Sequence, residues 1–207
     1  MASSSLSDFP AELILTIYES FDDHHTITAF NLASRMFYDV WRLNTASIAE
    51  SVLSQSIDCF DLAQELLVVQ GRSTGGQPET REGVLERSKH LIANALMVRK
   101  DYICTSTGVL VPKVDLSDPL LFFDGRERSF TEYHYRVWML LELFNDREAL
   151  DLRLQAATLE ELQWIDKANR SFFQQCGQCS LGRFGFHELY HTFSIIKAEI
   201  ELRESLS

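Results

Sequence analysis

Glycine and proline are scarce in this sequence, nine and four among 207 residues. A barrel or sandwich built on many tight turns uses more of both, whereas helices do well without either. Basic residues are outnumbered, 19 against 30 acidic ones, which gives a formal net charge of −11. No run of Lys and Arg offsets that balance, so phosphate backbones and anionic lipid surfaces are repelled; nucleic acid and membrane are not expected partners. Long apolar runs are missing as well. The longest, Val137 to Leu141, meets Glu142 at once and is far too short to span a bilayer. Met1 to Asp8 is polar and Ser-rich, without the basic start and apolar centre of a signal peptide. The expected location is cytoplasmic or nuclear. The four cysteines are then expected to be reduced thiols rather than a disulfide framework, with Cys59 and Cys104 as small buried residues. No internal repeat, glycine-rich phosphate loop or G-x-S-x-G element occurs.

What is present is helical periodicity. Hydrophobic residues make up 45% of the chain and charged residues 24%, ordinary proportions for a globular protein with one sizeable core. Leu13, Ile14, Ile17, Tyr18 and Phe21 recur at the 3–4 spacing of one helix face. Asp8 is placed to cap that helix, and Pro10 falls near its first turn, where a missing N–H costs little. Short helices are expected over Thr26 to Leu32 and Ser34 to Trp41, followed by helical stretches through Ile48 to Ile57 and Leu62 to Val69. The polar, glycine-rich segment Gly71 to Pro78 reads as a flexible connection dividing the chain. Beyond it, Val84, Leu85, Leu91, Ile92, Ala95 and Leu96 predict a long helix, and residues 102–125 lose the period and read as loop or a brief hairpin. Ser129 with Glu132, and Thr158 with Glu161, have the capping-box spacing for two further helix starts. The last helix is expected from about Gly185 to Arg203, with Phe186, Leu189, Tyr190, Phe193, Ile196 and Ile200 inward. The aromatic residues Phe130, Tyr133, Tyr135 and Trp138 read as packing.

The order of residues near the start is more specific than their hydrophobicity. Phe9-Pro10-Ala11-Glu12 opens a leucine- and isoleucine-rich helix. Asp22, the apolar anchor Ile27, Leu32-Ala33-Ser34-Arg35, Phe37-Tyr38 and Trp41 follow in turn. Residues 9–42 thereby resemble an F-box, of the type found in fungal F-box-like proteins, with weaker similarity to about residue 70; the segment Arg128 to Phe144 is also similar to a helix of such proteins. Phe9 stands where leucine is usual, and His24-His25 occupies a loop that more often holds Pro, Ser or Asp. The resemblance implies a three-helix module; with the helical periodicity beyond it, the fold expected is all-α, that module followed by an irregular helical domain. Its division would be a disordered 1–8, the module at 9–44, a helical extension at 45–70, a linker at 71–79 and a helical C-terminal domain at 80–207. It implies docking on a Skp-type adaptor of a cullin-based ubiquitin ligase, and a role as adaptor for an unknown protein substrate rather than as an enzyme. The residues expected on the docking face are Phe9, Pro10, Leu13, Ile14, Ile17 and Phe21, with Ile27, Leu32, Phe37 and Trp41 shared between that face and the module's core. An acidic surface suits a basic substrate.

Two motifs near the C-terminus point to other chemistry. His187-Glu188-Leu189-Tyr190-His191 matches H-E-x-x-H, in which two histidines one turn apart hold Zn²⁺ and the glutamate acts as general base. With Cys176 and Cys179 the same histidines spell C-x₂-C-x₇-H-x₃-H, four residues that a structural zinc would accept. Against this, the helical wheel sets His187 and His191 away from the apolar stripe, no third ligand for a peptidase follows, and the central spacer is short for a zinc finger. Nor does Cys176–Cys179 sit where a redox pair belongs, at a helix start after a strand. No cofactor and no metal are therefore expected, with a zinc peptidase or a Cys176, Cys179, His187, His191 zinc site as the alternative. The further alternative is a helical interaction protein outside any ligase.

Overall fold

The chain is all-α. A computed structural model describes residues 9–21, 24–71, 80–107, 125–172 and 186–206, and these form ten helices and no strand. Asp8, Asp22, Asp23, Cys176 and Cys179 lie outside the described residues, as do 72–79 of the expected linker and 108–124.

α1 (Ala11–Glu19) begins at Pro10, whose carbonyl accepts from the N–H groups of Leu13 (3.1 Å) and Ile14 (3.3 Å). α2 (His24–Ala33) and α3 (Arg35–Leu43) meet at Ser34, whose hydroxyl accepts from the Met36 N–H, the ordinary serine cap. Ile14 and Tyr18 of α1 and Phe37 and Val40 of α3 form a small core, closed from below by Ile48 and Val52 of α4 (Thr45–Ser56). Phe30 of α2 is its hub. Its ring stacks on Phe37 at 4.2 Å and meets Tyr18 and Phe21 edge to face at 5.1 and 5.3 Å. The Tyr18 hydroxyl donates to the Phe37 carbonyl (2.9 Å) and lies against Asn31 Oδ1, so the one polar atom on that buried ring is satisfied.

The other side of α4 belongs to a second, larger core. Leu53 and Ile57 join Ala63, Leu66 and Leu67 of α5 (Phe60–Val69), Leu91 and Val98 of α6 (Arg81–Thr107), and the buried face of α7 (Gly125–Glu142). Leu150 and Leu154 of α8 (Arg147–Ala156), Leu162 and Ile165 of α9 (Leu159–Phe172), and Leu189, Ile196 and Ile200 of α10 (Phe186–Leu206) complete it. Phe130, Tyr133, Tyr135 and Trp138 are all packed inside. The hydrophobic boundary thus runs through α4, one helix with two faces. It does not fall at residues 71–79, because α5 is buried in the C-terminal body. Arg81, the first residue of α6, fastens the two parts together: its guanidinium lies 4.7 Å from the Trp41 ring centroid and donates to the Tyr38 hydroxyl (3.3 Å).

Several local expectations are corrected. Ser129 and Glu132 make no capping box, because α7 starts a turn earlier, at Gly125; Glu132 instead accepts from Arg136 at 3.1 Å. The other pair does cap its helix: the Glu161 N–H donates to Thr158 Oγ1 (3.1 Å) and the Thr158 N–H donates to Glu161 (2.8 Å). That bond, with Arg136 close by, holds the Glu161 carboxyl below its ordinary range. Residues 102–107 are helix, not loop. α6 turns Leu91, Asn94, Val98 and Asp101 inward at 3–4 spacing, and two of those four are polar, which hides the period from a hydrophobic pattern. Asn94 donates to Gln70 Oε1 (3.1 Å), and Asp101 lies 3.4 Å from His134 Nε2 across the core. Tyr190 faces solvent rather than the core. Cys59 is only half buried; it precedes α5 in a left-handed conformation (φ 55°), and partial burial pushes its thiol up.

Candidate partner-docking face

α1 divides its apolar residues between two directions. Ile14 and Tyr18 point into the small core, fully buried. Leu13 and Ile17 lie about 100° round the helix from that pair, as their one-residue offset requires. Leu13 is 52% exposed and Ile17 is half buried. Phe9, 37% exposed, and the exposed Pro10 lead into the same stripe at i−4 from Leu13. The five-residue span Phe9 to Leu13 therefore presents two large apolar side chains to water at the edge of the module. A further leucine, Leu32 at the end of α2, is 83% exposed, and Leu43 at the end of α3 is bare as well. Singly exposed leucines are ordinary, whereas Phe9 and Leu13 stand exposed together at the start of one helix.

Five of the residues expected on this face have other work. Ile14 is a correction: it is core, because its side chain falls on the α3-facing side of α1 together with Tyr18. Phe37 is equally buried under Phe30. Phe21, Ile27 and Trp41 are half buried and packed on the small core, sealing its rim. Phe9, Pro10, Leu13, Ile17 and Leu32 are left as the residues a partner would reach. Phe30 and Leu43 were missed by the sequence reading. The helical spacing of Phe30 from Ile27 carried a signal for the first; nothing in the pattern marks Leu43 as exposed.

Burial has electrostatic consequences beneath this face. Ionising Tyr18 would place a charge in the apolar core, and its phenol is pushed up to about 12. Tyr135, buried in the larger core, is raised in the same way.

At the other end of the molecule, His187 and His191 occupy consecutive turns of α10, both exposed, with ring centroids 4.2 Å apart. Leu189, Ile196 and Ile200 bury the opposite side. Among the described residues no group of three or more His, Cys, Asp or Glu side chains is placed to hold a metal. A peptidase centre needs three protein ligands in a protected cleft, and the pair sits on an open surface. Among the described residues, too, no helix is long and apolar enough to cross a membrane. No family model, curated protein or solved structure matches the chain.

Proposed function

We propose that this chain is an F-box-like adaptor whose α1 edge docks on a Skp-type protein, and that its C-terminal helical body carries or spaces a substrate for a cullin-based ubiquitin ligase. The observation that carries this reading is the stripe of exposed Phe9, Pro10 and Leu13 with half-buried Ile17, apolar residues that the fold orders but leaves outside both cores. A helix edge of this kind suits a helical partner that buries one or two leucine-sized anchors at its centre. The motif order that resembles an F-box names the partner; the stripe supplies the surface. Binding rather than catalysis is the proposed activity. Support also comes from rigidity: α4 shared by both cores and the Arg81 clamp on Trp41 give a docked partner and the C-terminal body a fixed separation.

The test is direct binding of the full chain to a purified Skp-type adaptor, wild type beside Leu13→Asp. A complex abolished by the substitution supports the reading. Absence of any wild-type complex would move the chain to the class of helical interaction proteins outside a ligase.

A further inference from the structure

α10 carries its two faces in strict opposition. Leu189, Ile196 and Ile200 point into the large core, and His187 and His191 stand roughly 180° round the helix from them, in water. The two imidazoles are already gathered, with centroids 4.2 Å apart and planes inclined at 57°. Two imidazoles on one zinc ion, with Zn–N bonds of about 2.0–2.1 Å, have centroids roughly 5 Å apart. The helix thus holds the two rings at about the separation that a shared ion requires, without further ordering of backbone.

We propose that His187 and His191 together bind one borderline divalent transition ion, Zn²⁺, as a two-imidazole surface chelate whose remaining coordination positions are open. This is a different site from a peptidase centre, which the exposed position does not support, and it does not depend on the adaptor reading. Imidazole suits Zn²⁺, Cu²⁺ and Ni²⁺ and not the hard ions Mg²⁺ and Ca²⁺, so the latter are not ligands. Two features set its strength. The positive end of the α10 dipole opposes a cation in the first turn, and Glu188 in that turn opposes the dipole. With only two protein ligands the site is a moderate one that exchanges its ion, and it weakens on acidification because only neutral imidazole ligates.

The experiment is a Zn²⁺ titration of the full chain against a chromogenic chelator, with His187→Ala, His191→Ala and the double variant Cys176→Ser, Cys179→Ser alongside. One Zn²⁺ per chain is expected, at least tenfold weaker in either histidine variant and unchanged in the cysteine variant. Circular dichroism should be the same for wild type and both histidine variants, since both histidines are exposed. Wild-type affinity in either histidine variant, loss of zinc in the cysteine variant, or no binding by wild type would each overturn the proposal.

Discussion

Leu13 and Ile14 are neighbours in sequence with opposite fates, and substituting each tests the docking face most sharply. Leu13 is 52% exposed, so the isolated protein has about half of that side chain left to bury. Full burial of a leucine is worth about 1.5–3 kcal/mol, so docking gains about 1 kcal/mol from the remaining half. Leu13→Ala should therefore weaken adaptor binding about five- to tenfold. Leu13→Asp should weaken it a hundredfold or more, since it forces an unpaired carboxylate into an apolar contact. Neither change should move folding stability by more than about 0.5 kcal/mol, because exposed positions rarely do. Ile14→Ala should do the reverse of this. It empties a fully buried position against Tyr18 and Phe37, at a cost of about 2–5 kcal/mol in stability. The assay is a urea midpoint for each variant beside its affinity for the adaptor by calorimetry. If Leu13→Asp destabilised the fold by several kcal/mol, or bound the adaptor as well as wild type, the assignment of Leu13 to a partner surface would be wrong.

Other perturbations have equally definite outcomes. Tyr18 titrates near 10.0 when unfolded and near 12 in the fold, so the folded state holds its proton more tightly. That contribution is complete below pH 10 and is lost as the pH rises toward 12. Alkaline unfolding followed by circular dichroism should show a shallower pH dependence in Tyr18→Phe, and an unchanged slope would sink the explanation. Arg81→Ala should cost about 1–2 kcal/mol, read as a lower urea midpoint, by removing the contact with Trp41 and Tyr38 that joins the two cores; Arg81→Lys should recover little, because the planar stack is lost. His134→Leu should destabilise by about 1–3 kcal/mol, since it removes one partner of the buried Asp101, and His134→Leu with Asp101→Leu should recover part of that loss in the same denaturation assay. A double variant as weak as the single one would mean that Asp101 draws its stability from elsewhere.

Helix content was legible from the sequence because it rests on local periodicity and caps. The 3–4 spacing through α1, the helix start at Ser34 and the Thr158–Glu161 box all reappear where the pattern placed them. The pattern failed where a tertiary partner replaced an apolar residue. Asn94 and Asp101 occupy inward positions of α6 because Gln70 and His134 meet them there, and neither partner is near in sequence. Ser129 looked like a cap because its own hydrogen-bonding capacity was visible and the earlier start of α7 was not.

The docking face divides in the same way. That α1 is amphipathic, with Leu13, Ile14, Ile17 and Tyr18 on one broad face of it, follows from spacing alone. Which of its apolar residues are spent on the core follows only from where α3 and α4 pack. Periodicity reports that a side chain has somewhere apolar to go, not whether that place is in its own chain. Packing of the two cores decided it: Ile14 and Tyr18 were covered by α3 and α4, and Leu13 was left exposed because no helix among the described residues covers that side of α1.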